Sequence, residues 1–498
     1  MIMKQITLIA FLMAFVCIVK GQTGGVIVEP GTTVTQEQGS VLDITNGHLL
    51  LKDDLNNSPS FLQKGTVSYT TAGDSQVEQY LVKDEWHIVS SPVQDEVNGA
   101  YMWIYFYNYD ESNNQFVYMN LPVNQPLNPG QGYFAWAYTT DPNGQWPPSP
   151  DFVMLNGTLN NSDINLTLSV TDSSPKSGWN LVGNPFPVGL DWNGNSDWNL
   201  TNLDASIWIW DPAAGNYKTW NYNSGGTLQS GEIAATQGFW VHADDTTGSV
   251  ATSMTIPASQ RVHTSNVFYK NSQPVIPNQL KLKVQGGDER NDETIIGFHS
   301  NASIWPDSQL DALYLPGKDY APSLCVFFND YKYAMKQFPD YEIYHSVPLL
   351  FRAPVDGIYT ITADWIESFP ADLEISIEDK KENIRHNLKT DNTYTFAAQF
   401  NDEKDRFVIH FGNNTSTDEF IDNSMINIFS YDKKILVEIL NENFEDGHCI
   451  IFDLSGKKVA EDNIVQGINV VETLLNKGFY IVTVQSNTCF KAKKVFIN

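Results

Sequence analysis

Cysteine, basic residues and long apolar runs are all scarce in this sequence. The 498 residues include 4 cysteines, too few for a disulfide scaffold. Lysine and arginine total 30 against 58 acidic residues, and the formal charge of -28 repels nucleic acids and anionic lipid surfaces. Beyond the N-terminus, no apolar run approaches the roughly 20 residues of a transmembrane helix. We therefore expect no nucleic-acid partner and no transmembrane segment in the mature chain.

Local motifs of catalysis and metal binding are also missing. The sequence contains no H-E-x-x-H, G-x-S-x-G, Walker A or G-x-G-x-x-G pattern. Its 9 histidines are dispersed, and none lies within four residues of another. We expect no catalytic residues, no cofactor and no metal. The alternative is an extracellular hydrolase, degrading polysaccharide or protein, whose site is assembled across strands and so leaves no local motif.

Residues 1–22 have the layout of a secretory signal peptide. Lys4 supplies the positive charge, and residues 6–19 form an apolar stretch of fourteen residues. We expect cleavage near Gln22 and export of the mature chain. A lipoprotein acylated on Cys17 is the alternative, disfavoured because Val16 is a poor residue before a lipidated cysteine.

The composition predicts an all-β chain of several domains. The 33 glycines, 24 prolines and 12% aromatic residues favour short strands joined by tight turns, and the length exceeds that of one ordinary core. In residues 23–80, short apolar groups recur every six to ten residues. This spacing indicates a β-solenoid or a meander with too few coils to be stable alone, which caps the domain that follows.

Residues 81–272 contain an internal repeat. The segment WHIVSSP at 86–92 matches WNLVGNP at 179–185. Residues 105–108 match 208–211, and 131–134 match 237–240, so the offsets are 93, 103 and 106. The conserved order predicts two related, aromatic-rich antiparallel modules.

Eleven of the thirteen tryptophans lie between Trp86 and Trp240, which concentrates them in the repeat. Those at repeated positions are assigned to the core, because equivalent residues in two copies share a packing role; they are Trp86, Trp179, Trp208 and Trp240. Others stand in polar stretches, where they either plug loops or stack on sugars; they are Trp136, Trp146, Trp192, Trp198 and Trp220. For ligand binding, Trp192 and Trp198 are our first candidates.

Oxygen-bearing side chains alternate at Asp191, which precedes Trp192, and at Asn193, Asn195 and Asp197, which lie between the two tryptophans. Such oxygens suit calcium, but Asn202 stands where an EF-hand loop would place its bidentate glutamate. An Asn/Asp turn is the favoured interpretation, and a structural calcium is the alternative.

Residues 273–412 predict a β-sandwich, with Cys325 as a buried apolar residue. The alternation in NTYTFAAQF places Tyr394, Phe396, Ala398 and Phe400 on one face. Residues 413–424 are polar and are interpreted as a linker.

Residues 425–498 predict an Ig-like sandwich of about seven short strands. Asp453–Gly456 form a turn, and Tyr480, Val482 and Val484 share a face opposite Phe479 and Ile481. Cys449 and Cys489 either form one disulfide or are two separate buried thiols.

Three motifs give this last domain a family resemblance. They are D-L-S-G-K, L-x-K-G-x-Y-x-V-x-V and a terminal K-K-V-x-I. The domain thereby resembles the type A C-terminal sorting domain of the type IX secretion system of Gram-negative bacteria. The matching signature residues are Asp453, Leu454, Ser455, Gly456, Lys457, Leu475, Lys477, Gly478, Tyr480, Val482, Val484, Lys493, Lys494, Val495 and Ile497.

The resemblance implies export across the outer membrane. Its partners would be the type IX translocon and its sortase-like peptidase, which removes the domain and releases the passenger or attaches it to surface lipopolysaccharide. We therefore expect a secreted or cell-surface protein. Its passenger is predicted to be a non-catalytic adhesion protein that binds a glycan or matrix polymer.

Overall fold

The computed structural model is all-β, as the composition predicted. It describes residues 18–20, 25–45, 47–70, 74–171, 177–193, 197–243, 251–264, 276–341, 344–412, 426–431, 434–439, 444, 447–453, 457–471, 475–486 and 490–497. Helical structure in these residues is limited to short 3-10 turns: Asn98–Tyr101, Glu111–Asn113, Ala258–Gln260 and Ile366–Ser368. The chain divides into two compact units, Met1–Gly412 and Asn413–Asn498.

The first unit begins with a three-sided parallel solenoid. Its strands are β1 Ile18–Lys20, β2 Val26–Val28, β3 Thr33–Gln36, β4 Val41–Thr45, β5 His48–Leu51, β6 Ser60–Gln63, β7 Thr66–Thr70 and β8 Asp74–Tyr80. Strands β1 to β5 each pair in parallel with the third strand after them, so three faces form: β1-β4-β7, β2-β5-β8 and β3-β6. Val26 pairs with Leu49, 23 residues on, and Leu49 with Ser75, 26 residues on. The spacing of six to ten residues seen in the sequence therefore separates successive faces, whereas a full coil is longer.

The following segment contains one four-stranded and one five-stranded antiparallel sheet and several short strands. The strands are β9 Trp86–Val89, β10 Tyr105–Asp110, β11 Gln115–Tyr118, β12 Tyr133–Trp136, β13 Phe152–Gly157, β14 Ile164–Thr167, β15 Trp179–Gly183, β16 Gly189–Asp191, β17 Leu200–Thr201, β18 Leu203–Asp211, β19 Asn216–Asn221, β20 Gly225–Gly226, β21 Glu232–Ile233, β22 Gly238–Ala243, β23 Ser253–Ile256 and β24 Arg261–Val262. Strand β13 pairs with β8 and continues the solenoid sheet.

The internal repeat is confirmed by strand order. Module 1 is the sheet β9-β12-β10-β11, and module 2 is β15-β22-β18-β19, with β20 added at its edge. The register also matches, because Ile88 pairs with Phe134 as Leu181 pairs with Trp240. The predicted match of residues 105–108 with 208–211, however, is wrong by two residues. Asp110 pairs with Gln115 as Asp211 pairs with Asn216, so residues 107–110, and not 105–108, correspond to 208–211.

The two modules are related by a local two-fold axis. Ser90 N donates to Thr236 O at 2.8 Å, and Gly183 N donates to Gly130 O at 2.8 Å. These bonds are reciprocal, since Ser90 corresponds to Gly183 and Thr236 to Gly130, and reciprocal contacts are the signature of a two-fold interface. The bridges Val89–Gln237 and Gln131–Val182 form a second reciprocal pair.

A glycine in each module permits this close approach. A Cβ on Gly132 would lie 2.4 Å from Val182 O, and one on Gly238 would lie 2.2 Å from Ile88 Cγ2. The Q-G pair repeated in the sequence is thus explained by packing of each last strand against the other module.

The remainder of the first unit is one eleven-stranded sheet. Its strands are β25 Gln279–Gln285, β26 Asn291–Phe298, β27 Ala312–Leu313, β28 Ser323–Phe328, β29 Tyr331–Phe338, β30 Ser346–Arg352, β31 Gly357–Asp364, β32 Ile375–Asp379, β33 Ile384–Asn387, β34 Thr393–Ala398 and β35 Phe407–Phe411. The order is β33-β32-β35-β30-β28-β29-β26-β25-β31-β34, with β27 beside β29.

This large sheet folds back on itself around one apolar core. The Phe396 ring on β34 lies 4.7 Å from the Phe407 ring on β35, although these strands are far apart in sheet order. Tyr394, Phe396 and Ala398 are buried as predicted, but Phe400 is 59% exposed. That part of the prediction is wrong because β34 ends at Ala398 and the alternation ends with it. Cys325 is buried in this sheet, as expected.

The second unit contains two sheets around a separate core. Its described strands are β36 Ile426–Tyr431, β37 Lys434–Ile439, β38 Gly447–Asp453, β39 Lys458–Ile464, β40 Gly467–Val471, β41 Gly478–Gln485 and β42 Phe490–Ile497. Sheets β36-β37-β40 and β39-β38-β41-β42 enclose buried residues such as Ile428, Val437, Ile451 and Val482. This is the small sandwich that the sequence predicted. The predicted linker, 413–424, lies outside the described residues.

Candidate functional site

The structure places Trp192 and Trp198 in the core of module 2. They are 0% and 5% exposed, and their ring centroids are 4.6 Å apart. The indole nitrogens donate to Ala205 O at 2.9 Å and to Asp191 O at 3.0 Å. Neither ring has a face available for a sugar, so their assignment as ligand-binding residues is wrong and the packing alternative holds. Their polar neighbours in sequence gave a misleading signal, because the loop turns its rings inward.

The tryptophans at repeated positions are mostly core residues, as predicted. Trp179, Trp208 and Trp240 are 6%, 0% and 3% exposed, whereas Trp86 is half-buried. The ring of Trp179 meets that of Trp208 edge-on at 4.7 Å. These indoles form part of the core shared by the two modules and the large sheet.

The oxygens considered for calcium have protein partners where they are described. Asn193 Oδ1 accepts a hydrogen bond from Trp220 Nε1 at 2.8 Å. Asp197 Oδ2 accepts from Ser259 and Gln260 at 2.8 and 2.9 Å. Asn195 lies outside the described residues, and the calcium site stays a prediction. In the described part of the chain, no group of three or more His, Cys, Asp or Glu side chains is placed to hold a metal.

Module 1 carries a different group of rings at its surface. We define the aromatic face as Trp103, Tyr105, Tyr118, Trp136 and Trp146. Tyr118 and Trp103 are 40% and 38% exposed, and the other three are half-buried.

Tyr105 is the centre of the aromatic face. Its ring centroid lies 5.4 Å from Trp146, 5.6 Å from Trp136 and 6.5 Å from Tyr118, with interplanar angles of 34°, 42° and 47°. The rings are therefore in close contact but tilted relative to the plane of Tyr105. Burial, the largest cause, and neighbouring tyrosines raise the pKa of Tyr118 to about 12, so its hydroxyl stays neutral and can donate a hydrogen bond.

The loop D-P-N-G-Q-W holds two of these rings in place through Asp141. One carboxylate oxygen accepts from the Tyr105 hydroxyl at 2.7 Å and from Asn143 N at 3.1 Å. The other accepts from Gln145 N at 2.7 Å and Trp146 N at 2.9 Å. Burial alone would raise the pKa of Asp141, but these hydrogen bonds outweigh it and lower the pKa to about 2. Asp141 is thus a charged anchor, and the exposed Asn143 and Gln145 border the face.

The corresponding surface of module 2 is covered by the large sheet. Ser206, which corresponds to Tyr105, donates to Asp311 O at 3.0 Å, and Trp208 Nε1 donates to Leu313 O at 2.9 Å. Ala205 N also donates to Ser308 O at 2.7 Å. The segment 308–313 therefore lies over module 2, where module 1 exposes its rings.

The backbone at Trp103 is in a conformation that bulky residues rarely adopt. Eleven described residues other than glycine have positive φ, and eight of them are Asn or Asp, which tolerate it. Trp103, with φ of 68°, and Trp365, with φ of 66°, are the two large exceptions. Such outliers cluster at functional sites, where the surrounding structure compensates the strain.

A second polar group brings together residues of hydrolase type. Ser346 on β30 and His410 on β35 are direct cross-strand partners, and Ser346 Oγ lies 2.8 Å from His410 Nδ1. Glu378 on β32 lies 2.6 Å from His410 Nε2. Burial lowers the pKa of His410, although the hydrogen bond with Glu378 acts in the opposite direction. The imidazole is then neutral at neutral pH and can act as a base.

The described signature residues of the C-terminal domain lie on its four-stranded sheet and the adjoining turn. Asp453 ends β38, its N–H donates to Lys457 O at 3.0 Å, and its Oδ1 accepts from Lys457 N at 3.1 Å. Gly478 begins β41, and Leu475 and Tyr480 pack against the core that contains Val482 and Val484. Lys493 and Lys494 are exposed on β42, which also carries Ile497. Leu454, Ser455 and Gly456 lie outside the described residues.

The outer face of this sheet presents cations beside aromatic rings. Phe479 and Phe496 are 48% and 37% exposed, with centroids 4.8 Å apart. Lys494 Nζ lies 4.6 Å from the Phe479 ring, and Lys477 Nζ lies 5.9 Å from the Phe496 ring. Cys449 is buried, and burial raises its pKa to about 12. Cys489 lies outside the described residues, so the disulfide stays a hypothesis.

Sequence reasoning missed most of the aromatic face. Trp136 and Trp146 were among the tryptophans considered for sugar stacking, but Trp103, Tyr105 and Tyr118 were not. A usable signal was the alternation Y-F-Y-N-Y-D at 105–110, because side chains two residues apart share a face of a strand.

Comparisons with known proteins give a family and little else. No helix in the described part of the chain is long and apolar enough to cross a membrane. A search of curated proteins found no match. A solved structure titled "Biofilm associated protein - BSP domain" aligns over 85% of this chain and 92% of its own, with 8% identity and a TM-score of 0.12, which is too low to indicate a common fold. The profile of the domain of unknown function DUF8693 matches residues 10–411, and the chain belongs to that family.

Proposed function

We propose that this protein is an exported, non-catalytic glycan-binding protein that holds its ligand on the aromatic face of module 1. The observation that carries the proposal is a cluster of partly exposed rings in which Trp146, Trp136 and Tyr118 are inclined to the Tyr105 ring by 34°, 42° and 47°. A sugar ring has an apolar face of C–H groups and an edge of hydroxyls. It therefore needs an aromatic platform bordered by hydrogen-bonding groups, which Asn143, Gln145 and the tyrosine hydroxyls supply.

The charge distribution favours a neutral glycan. The chain carries a formal charge of -28, which repels polyanions at long range. Asp141, the carboxylate beside the rings, is already occupied by four hydrogen bonds. A neutral polysaccharide or its oligosaccharides is thus the preferred ligand class.

The test is affinity chromatography and a glycan array with the full chain. Trp136→Ala should weaken binding by about tenfold to 100-fold, which corresponds to about 1.4–2.8 kcal/mol and matches the loss of one buried apolar side chain. The matched control is Phe400→Ala, which removes a 59% exposed ring outside the aromatic face. Equal retention of both variants and the wild type would refute the assignment.

We further propose that the C-terminal domain directs the protein through the type IX translocon to the cell surface or the medium. The support is the set of signature residues on a separate sandwich, with Phe479 and Lys494 exposed for recognition. Deletion of residues 425–498 should leave a folded passenger in the periplasm. Normal extracellular levels of the truncated protein would contradict the proposal.

The variant Phe479→Ala should also reduce the amount of exported protein. Its control is Val459→Ala, which removes an exposed apolar side chain on β39.

A second candidate function is hydrolysis at Ser346. The geometry of Ser346, His410 and Glu378 favours it, because a serine beside a neutral imidazole oriented by a carboxylate can attack an acyl carbon. A fluorophosphonate probe should then label Ser346 in the wild type and leave Ser346→Ala unlabelled. If the protein binds glycans but Ser346 is not labelled, the hydrolase function is refuted and the glycan-binding function remains.

A further inference from the structure

A cleft in the large sheet has the size of a small-ligand site. Its volume is about 640 Å³, and Trp365, Phe369 and Leu388 supply its apolar lining. Ligand clefts of this kind typically measure about 300–1,000 Å³ and combine an apolar lining with a few polar groups. Here Asp364, Glu367, Lys389 and Asn392 provide the polar groups.

The donors and acceptors of the cleft are held by neighbouring backbone. Asn392 Nδ2 donates to Ala363 O at 3.1 Å, and Ala363 N donates to Asn392 O at 2.8 Å. Lys389 Nζ donates to Pro370 O. Glu367 is exposed at the first turn of the short helix Ile366–Ser368. A ligand in the cleft would therefore meet the exposed carboxylate of Glu367 and two fixed donor groups, while the second lining carboxylate, Asp364, is paired with Lys281.

Trp365 is held in a strained conformation at this cleft. Its φ and ψ are 66° and 19°, a left-handed conformation that costs an indole-bearing residue roughly 1–3 kcal/mol. Lys281 Nζ lies 5.2 Å from the ring centroid and forms an ion pair with Asp364 at 3.2 Å, so the ring is fixed from one side. Glycine or asparagine would occupy this backbone position at lower cost. The Trp365 ring compensates this cost by packing against the core shared by the two modules and the large sheet, and it also lines the cleft.

We propose that this cleft is a second, independent binding site for a single neutral sugar residue, which stacks on Trp365. The ring supplies the apolar platform, Glu367 accepts from sugar hydroxyls, and Lys389 and Asn392 are placed to donate. The mixed charge of these groups suits an uncharged, hydroxyl-rich ligand better than an anion or a cation. The site does not depend on the aromatic face of module 1.

The experiment titrates glucose, galactose, mannose and N-acetylglucosamine separately into the full chain, with binding followed by saturation-transfer NMR. At least one sugar should bind, and Trp365→Gly should weaken its binding by about tenfold or more. The melting temperature of this variant should stay near that of the wild type, because glycine relieves the backbone strain while the packing of the ring is lost. Phe400→Ala is the control for removal of an exposed ring elsewhere, and its affinity should be unchanged.

Three results would overturn the proposal. They are no binding of any of the four sugars, wild-type affinity in folded Trp365→Gly, and loss of monosaccharide binding in Trp136→Ala. The last result would place the sugar on the aromatic face and leave the proposed glycan-binding function intact. If Trp365→Gly does not fold, Glu367→Ala decides instead, because this side chain is exposed and its loss should weaken binding without unfolding the sheet.

Discussion

Module 1 and module 2 have the same strand order and register but different surroundings. In module 2, Ser206 and His242 are buried, and they bond to Asp311 O and to the Asp204 carboxylate. In module 1, the corresponding positions hold Tyr105 and Trp136, which are half-buried and lie on the aromatic face. Module 2, which is covered by the segment 308–313, thus has small or polar side chains at these positions. Module 1, which is not covered there, has large aromatic rings.

This difference separates packing from recognition among the many aromatic residues of the repeat. Rings at equivalent positions in both copies, such as Phe134 and Trp240, form the shared core. Rings present in one copy only are not required by the architecture, since the other copy folds without them. Tyr105 and Trp136 are therefore the residues on which the proposed glycan binding can be tested apart from the shared fold.

The largest expected difference between the modules is in how much stability is lost when an aromatic ring at an equivalent position is replaced by alanine. Trp208 is fully buried, so Trp208→Ala should lower the free energy of unfolding by about 3–5 kcal/mol. Its counterpart Tyr107 is half-buried, and Tyr107→Ala should cost less than about 2 kcal/mol. Denaturant unfolding of the full chain, followed by fluorescence and circular dichroism, measures both. Equal losses would mean that the two faces are equally covered.

Reciprocal glycines offer a test of the two-fold interface. Gly132→Ala and Gly238→Ala should each lower the free energy of unfolding by about 1–3 kcal/mol, because the new Cβ meets Val182 O or the Ile88 side chain. Gly287→Ala is the matched control, since no atom lies within 4 Å of its Cβ position. A neutral effect at only one of the two interface glycines would show that the contact is less symmetric than the backbone hydrogen bonds indicate.

The region of the large sheet that contacts module 2 should respond to pH through Asp292. This carboxyl accepts hydrogen bonds from the Tyr314 hydroxyl and Leu324 N, both at 2.8 Å. Burial raises its pKa from 3.8 to about 7, despite those hydrogen bonds and nearby Lys218. The folded state therefore binds this proton more tightly than the unfolded state, and the contribution to stability grows as pH falls from about 7 towards 4.

The variant Asp292→Asn isolates this effect from other titrations. Desolvation lowers the pKa values of His87, His263 and His410, so these groups favour unfolding as pH falls and oppose Asp292. Thermal unfolding of the wild type and the variant should be measured between pH 8 and 5, a range that includes the raised pKa of Asp292. The difference in their free energies of unfolding should grow as pH falls, by up to about 1.4 kcal/mol per pH unit. Parallel curves would show that Asp292 titrates normally.

The sequence predicted the all-β class, the repeat and the C-terminal sandwich because these depend on local periodicity. Alternation in NTYTFAAQF and the recurring W-x-x-V segments are read directly from neighbouring residues. The solenoid was distinguishable from a meander only by pairing between residues more than twenty positions apart. Local patterns carry no information on that pairing.

The site was harder to predict because exposure depends on what covers a face. Trp192 and Trp198 have the polar neighbours expected of surface rings, yet both are buried. Tyr105 and Trp208 lie on equivalent strands with similar sequences, and the segment 308–313, about a hundred residues after Trp208, decides that one surface is closed. A shift of two residues in the alignment of the repeat also preserves the alternation of faces, so the sequence pattern does not distinguish the two registers.

The smallest expected effect concerns the anchor of the aromatic face. Asp141→Asn keeps the shape of the side chain but replaces one acceptor oxygen with an amide that donates. The pair of N–H groups at Gln145 and Trp146, or the pair formed by Tyr105 and Asn143, then loses its acceptor. All five rings remain, but Trp146 and Tyr105 are no longer fixed together. Glycan binding should weaken by about threefold to tenfold, the scale of one or two hydrogen bonds.

Asp110→Asn is the matched control for this anchor. Asp110 also accepts bonds within a polar turn of module 1, from Ser112 N at 3.0 Å and Asn113 Nδ2 at 2.8 Å, but it fixes no ring of the aromatic face. Its variant should bind the glycan as the wild type does. If both substitutions weaken binding equally, the effect reflects general loosening of module 1. If neither substitution weakens binding, the rings hold their positions through contact with one another, and glycan binding does not depend on the hydrogen bonds of Asp141.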